Sequence, residues 1–358
     1  MPTPSPNPTV RPVTRPALPP AVTSFIGRER EIAEVWHLLR ANRLLSLVGP
    51  GGVGKTRLAL SVAAEAEHRF VDGVCWVELA QVGDPSFVPQ ALAKALEVAE
   101  QPDLPLPQTL LEKLEGKDLL LILDNCEHLL AACHELVGRL LVAPALKILT
   151  TSREPLGVAG EVRYAVPPLA LPEQGGPLAE LAQSEAVRLF VERAGSFRPE
   201  FALTPENAPL IAELCRRLDG LPLAIELASA RVGVLSLRQL RERLEQGLDV
   251  LTAPTPGELR HRTLRAVMDW SYQLLSAPEQ LLLQRLSPFA SGFTLATAEA
   301  CCAWGELEAP QILDLLTALI GKSLVMVEAL EAEEARYHLL ETVRQYAQEQ
   351  LRASGAWQ

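Results

Sequence analysis

The residues Gly49-Pro50-Gly51-Gly52-Val53-Gly54-Lys55-Thr56 carry the most specific chemistry in this chain. Glycines let backbone N–H groups turn inward around an anion, and a helix starting at the end of the run adds its positive dipole. Lys55 suits the β- and γ-phosphates of a nucleotide, and Thr56 can place its hydroxyl on Mg²⁺. Such a loop must sit between a strand and a helix. Leu44–Val48 is a short apolar run, and apolar residues recur at helical spacing over Arg57–Arg69, so both flanks agree. The expected ligand is a nucleoside triphosphate, ATP with Mg²⁺, and Arg57 is counted with the loop among its contacts.

A second oxygen ligand must meet the metal. Leu119-Leu120-Leu121-Ile122-Leu123-Asp124 is an apolar strand ending in a carboxylate, so Asp124 joins Thr56 as a candidate metal partner. Asn125 follows, where many ATPases carry a second acid that polarises the attacking water. An amide cannot accept a proton, which leaves that role to Glu127 or to no residue. Slow hydrolysis is the expectation, with a turnover below about 1 s⁻¹. The run Leu146–Thr150 leads into Thr151-Ser152-Arg153 and sets a hydroxyl and a guanidinium at the carboxyl edge of a sheet, beside the expected γ-phosphate. Lys55, Asp124 and Arg153 are the catalytic candidates.

The elements that must position these groups alternate. Candidate strands are Leu44–Val48, Val74–Leu79, Leu119–Leu123, Leu146–Thr151 and Val162–Val166, separated by helical stretches such as Arg57–Arg69 and Phe87–Glu97. This pattern predicts an α/β domain with a parallel sheet covered by helices on both faces. From Ser184 to Leu251 no strand is convincing, and helices are predicted at Ser184–Ala194, Glu206–Leu218, Pro222–Ala230 and Leu237–Gln246, the first with Ser184 as N-cap. A Thr/Pro/Gly-rich break at Thr252–Gly257 precedes helices near Leu264–Leu275, Pro278–Leu286, Leu295–Cys302 and Gln311–Ile320. Two strand-like runs, Leu324–Glu328 and Arg336–Leu339, then a helix at Glu341–Leu351, describe a winged-helix module with a two-stranded wing. The expected division is 1–20 as a Pro-rich linker or tail, 21–172 as the P-loop nucleotide-binding α/β domain, 173–255 as a helical lid and 256–358 as the winged helix.

Composition narrows the class. At 358 residues, 48% hydrophobic and 22% charged, the chain suits several folded domains, and 5% aromatics imply aliphatic cores. Eight of the first twenty residues are proline, which favours an extended arm. No apolar run approaches the ~20 residues that span a bilayer, and no secretory signal is visible, so a cytoplasmic chain without membrane contact is expected. Cys75, Cys126, Cys133, Cys215, Cys301 and Cys302 show no metal or disulfide spacing and are expected as buried thiols. A net charge of −11 argues against a whole-protein footprint for nucleic acid.

Together these elements resemble the NB-ARC and wider STAND group of signalling ATPases, relatives of the AAA+ family, and especially bacterial regulators related to AfsR and LuxR-type activators. The residues that carry the likeness are Phe25-Ile26-Gly27-Arg28-Glu29, the P-loop, Leu123-Asp124-Asn125-Cys126-Glu127-His128, Thr150-Thr151-Ser152-Arg153, Gly220-Leu221-Pro222-Leu223-Ala224-Ile225 and Tyr337-His338-Leu339-Leu340-Glu341-Thr342-Val343-Arg344. The resemblance implies a five-stranded sheet in the order 5-1-4-3-2, a helical lid and a winged helix closing over the nucleotide. It also implies that Ile26, Gly27, Arg28, Leu221 and Pro222 line the adenine pocket. In many members a Met-His-Asp motif of the winged helix places its His on the β-phosphate of ADP. Aligned on Leu339-Leu340, Tyr337 takes the His position and His338 the Asp position; a one-residue shift would bring His338 there, and His338 is carried on that ground.

The function so implied is an ATP/ADP-binding switch of a signalling or transcription-regulatory protein. Its nucleotide state would expose an oligomerising surface, or one for sensor or effector domains. The alternative is a DNA-binding AAA+ ATPase of the origin-recognition type, using its winged helix. From Arg260 to Gln358 there are eight Lys and Arg against twelve Asp and Glu, a balance that disfavours groove docking; Arg260-His261-Arg262 with Arg265 is the one basic cluster.

Overall fold

In the computed structural model the alternating segments close into a five-stranded parallel sheet. The structure describes residues 18–20, 23–101, 103–173, 175–247, 251, 264–327 and 334–354. Most of the Pro-rich arm, the break at Thr252–Gly257 and Arg260-His261-Arg262 lie outside these residues.

The first region runs α1 (Glu29–Ala41), β1 (Leu44–Val48), α2 (Lys55–Ala66), β2 (Gly73–Glu78), α3 (Val88–Ala95), α4 (Leu106–Leu114), β3 (Leu119–Asp124), α5 (Leu130–Leu140), β4 (Lys147–Ser152) and β5 (Val162–Ala165). Its strand order is β2-β3-β4-β1-β5, the predicted order read from the other edge. β1 and β3 are buried along their whole length, as strands covered on both faces must be. Alternate side chains sort to the two faces: Leu45, Leu47, Leu120, Ile122 and Leu149 share a core with α1 and α2. Leu44, Leu119, Leu121, Leu123 and Ile148 pack with α3, α4 and α5.

The helical region contains α6 (Leu178–Gln183), α7 (Glu185–Phe197), α8 (Ala208–Arg217), α9 (Pro222–Ser229) and α10 (Leu237–Gln246). Ser184 stands at the N-cap of α7 without capping it, because its hydroxyl donates to the Ala170 carbonyl at 2.8 Å. The third region has α11 (Leu264–Gln273), α12 (Ala277–Leu286), β6 (Phe293–Thr294), α13 (Leu295–Cys302), α14 (Ala309–Gly321), β7 (Met326–Val327), β8 (Arg336–His338) and α15 (Glu341–Ala353). Its sheet has three strands, β6-β8-β7, where two were expected. β6 pairs Phe293 with Tyr337, and two residues are too few to show an alternating pattern.

One apolar core crosses all three regions, joining Leu45 and Val62 to Phe190 and Ile225 and on to Leu282, Leu316 and Val343. Five of the cysteines are buried free thiols; Cys301 departs from the expectation and is exposed. Among the described residues no helix is long and apolar enough to cross a membrane.

Candidate functional site

β1, β3 and β4 run parallel and deliver their carboxyl ends to one edge, where the loop after β1 turns into α2. There the Thr56 hydroxyl donates to Asp124 Oδ1 at 2.9 Å, and the Thr151 hydroxyl donates to the same oxygen at 2.5 Å. Thr151 Oγ1 in turn accepts from the Asn125 N–H at 2.9 Å, so β4 fixes the end of β3. Lys55 Nζ folds back and donates to the carbonyls of Gly49 (2.7 Å) and Pro50 (3.1 Å).

Burial pushes the Asp124 carboxyl up to about 6, against the downward pull of its hydrogen bonds from Thr151 and Thr56. Burial likewise lowers Lys55 to about 8; the carboxylates of Glu127 and Asp124 hold it up and Arg153 opposes them. Both groups are therefore desolvated charges that an added partner of opposite sign would stabilise. Glu127 Oε2 is buried beside them with no hydrogen-bond partner among the described residues. These groups line a cavity of about 360 Å³ together with Gly51, Gly52 and Gly54.

Its donor set fits the implied ligands. A hydroxyl and a carboxylate oxygen 2.9 Å apart are hard donors of the kind Mg²⁺ takes when phosphates and water complete its shell. Among the described residues no three His, Cys, Asp or Glu side chains group to hold a metal by themselves.

Arg153 is almost fully buried at 6% exposure, and its Nε lies 3.4 Å from Glu127 Oε1. Its Nη1 donates to the hydroxyl of Ser271 on α11, and its backbone carbonyl accepts from the Ser323 hydroxyl at 3.0 Å. The third region thus reaches the sheet edge. A Cβ on Gly51 would stand 2.5 Å from Val267 Cγ1 and 3.3 Å from Arg153 Nη2, so only glycine lets α11 approach the loop this closely.

The helical region meets the loop from another side. Leu223 N–H donates to the Gly52 carbonyl at 3.2 Å, and Pro222 lines the cavity while Leu221 is sealed in the core. Gly220, at φ +64°, lies against the Leu169 carbonyl, which a Cβ would meet at 2.5 Å. Arg28 donates to the carbonyls of Pro167 (2.6 Å) and Val53 (3.0 Å), tying the segment before α1 to the loop.

A second cleft opens beside the first, lined by Phe25, Ile26, Arg28, Leu169, Leu189 and Pro222 among others. At about 20 Å³ it is smaller than a base and must widen to take one.

Of the predicted site residues, Gly51, Gly52, Gly54, Lys55, Thr56, Arg57, Asp124, Arg153 and Pro222 converge on the larger cavity. Gly49 and Pro50 serve it through their carbonyls to Lys55, and Val53 packs in the core. Ile26 and Arg28 line the smaller cleft, and Gly27 packs against Glu185. His338 lines neither cleft; it lies on β8, the middle strand of the winged sheet, paired with Met326.

Several lining residues were not predicted. Glu78 ends β2 in register with Asp124, and the logic that found Asp124 would have found it. Leu223, Glu226 and Val267 carry no local signal.

Comparison with known proteins agrees with this arrangement. The NB-ARC domain family matches residues 28–163, and a winged helix-turn-helix domain family matches residues 275–352. The uncharacterized protein Rv0894 of Mycobacterium tuberculosis is 42% identical over 337 residues, covering 93% of this chain and 83% of that protein. The provisionally named HTH-type transcriptional regulator Rv0890c of the same organism is 44% identical over 320 residues, 89% of this chain and 35% of that protein. Regulatory protein AfsR of Streptomyces griseus is 32% identical, over 91% of this chain and 32% of its own length. The chain thus spans 35% or less of these two regulators. The Walker-type ATPase PABY2304 of Pyrococcus abyssi shares the fold, with a TM-score of 0.56 at 17% identity over 94% of this chain and 98% of that one.

Proposed function

The chain belongs to the NB-ARC/STAND-type regulators, and from that membership we propose that it is an adenine-nucleotide switch that changes domain contacts between an ADP and an ATP state. The observation that carries the proposal is Arg153: one guanidinium faces the cavity beside Lys55 and also bonds Ser271 of α11. A γ-phosphate at this edge competes with Ser271 for Arg153, whereas ADP leaves the contact in place. A ligand shifts a two-state equilibrium only through such a difference in contacts.

Thr56 and Asp124 would hold Mg²⁺, which when bound neutralises phosphate charge. Lys55 would leave its loop carbonyls for the phosphates. Asn125 in place of an acid, with Glu127 held beside Arg153, supports slow hydrolysis. The moving units would be residues 21–172, 173–255 and 256–358, and movement would expose a surface for self-association or for sensor and effector parts. The names of two relatives, a transcriptional regulator and a regulatory protein, support an output in transcriptional control. The origin-recognition alternative gains no support: α14, from Ala309 to Gly321, has no Lys or Arg to meet a phosphate backbone.

Hydrogen exchange on the full chain tests the switch. Mg²⁺ with a non-hydrolysable ATP analogue is expected to speed exchange in α11, whereas ADP is not, and Lys55→Ala removes the response. A chain that binds no adenine nucleotide overturns the proposal.

A further inference from the structure

Glu226 has no place in the switch described so far, yet it stands where the two clefts meet. Four residues line both clefts: Gly54, Arg57, Pro222 and Glu226. Only Arg57 and Glu226 among them bring polar side chains. The larger cleft holds the phosphate-seeking groups, and the smaller is walled by Phe25, Ile26, Leu169 and Leu189. A nucleotide with its phosphates in one and its base in the other must pass its sugar across this junction.

The carboxylate there is already oriented. Glu226 Oε1 accepts from Arg57 Nη1 and from Arg193 Nε, each at 3.0 Å. The same arginines reach back to the segment before α1: Arg57 Nη2 donates to the carbonyls of Thr23 (2.9 Å) and Ser24 (2.6 Å), and Arg193 Nη2 donates to that of Ser24 (2.6 Å). Two cations on one oxygen fix the carboxylate plane, and among the described residues neither bond uses Oε2. An ionised carboxylate only accepts hydrogen bonds, and the vicinal hydroxyls of ribose are neutral donors that match it.

We propose that Glu226 is the sugar-recognition residue of this site, accepting from a ribose hydroxyl through Oε2 and selecting ribonucleotides over deoxyribonucleotides. The assignment rests on the nucleotide reading given above. Arg57, the junction's cation, is a positioning residue: its guanidinium holds Oε1, reaches the Thr23 and Ser24 carbonyls and stands over the Phe25 ring of the smaller cleft.

Titration calorimetry of the nucleotide-stripped full chain with ADP, 2′-deoxy-ADP and 3′-deoxy-ADP in Mg²⁺ decides it. A charge-assisted hydrogen bond at a half-buried carboxylate predicts at least one deoxy analogue binding about tenfold more weakly than ADP. Glu226→Ala should bring the three affinities together, and Arg57→Ala, which leaves Arg193 alone to orient the carboxylate, should narrow their spread without removing it. Equal wild-type affinities, or a Glu226→Ala variant that weakens all three by one factor, overturn the assignment and leave the nucleotide reading standing. Failure of wild type to bind any of the three overturns both.

Discussion

At Arg153 the third region meets the sheet edge through a side chain that also faces the larger cavity, whereas at Asp219 it meets the helical region through the first turn of α15. Asp219, at φ +53° just before Gly220, accepts from the N–H groups of Glu341 and Thr342, each at 2.9 Å, and from the Thr342 hydroxyl at 3.0 Å. It thereby satisfies donors that a helix N-terminus leaves open, and its charge suits the dipole there. Burial raises the Asp219 carboxyl above the usual range, and these three bonds pull it back. Asp219 lines neither cleft. A ligand in the cavity can reach the first joint and not the second, so under the proposed switch Arg153 would be the contact to release and Asp219 the pivot to keep.

The largest effect that would break this contrast comes from Asp219→Ala. Two part-buried helix N–H groups and a hydroxyl lose their acceptor, at a cost of about 1.5–3 kcal/mol. Exchange of the Glu341 and Thr342 amides should rise about tenfold or more, by the same factor with ATP analogue, with ADP and without nucleotide. A nucleotide-dependent factor would mean that the pivot belongs to the switch.

Ser271→Ala comes next. It removes one hydrogen bond to Arg153, a change of about 1 kcal/mol, and frees the guanidinium for phosphate. Affinity for ATP analogue should therefore improve relative to ADP by about fivefold, measured by competition against a fluorescent nucleotide. An unchanged ratio would remove Ser271 from the switch.

The two joints differ as much in what the sequence shows of them. β3 is a continuous apolar run and β1 is broken only by Ser46, because both faces are covered, so their carboxyl ends, and with them Lys55 and Asp124, can be located from order; Arg153 follows β4, the next strand in that order. The partners of those residues cannot. Ser271 lies 118 positions from Arg153, on a helix whose apolar spacing says nothing about which strand end it will touch. Asp219 reads only as a turn residue before Gly220-Leu221-Pro222; its partners on α15 lie 122 and 123 positions away. Ser184 fails in the opposite sense, since its local capping signal is sound but the Ala170 carbonyl competes for the hydroxyl. Chemistry at strand ends is legible because it is local to its element, and the contacts that would make a switch of it are tertiary.

Ser323→Ala gives the smallest effect and the sharpest division. Like Ser271, Ser323 bonds Arg153 from the third region, but its hydroxyl reaches the backbone carbonyl, which no phosphate can claim. Its loss should cost under about 1 kcal/mol, appear as a slight gain in exchange near β7, and leave the ratio of ATP to ADP affinity unchanged. If the ratio shifts as it does in Ser271→Ala, the two contacts act as a unit and the whole domain face is the sensor. If only Ser271 moves it, the sensing lies in the guanidinium, where the cavity and the winged helix draw on the same donors.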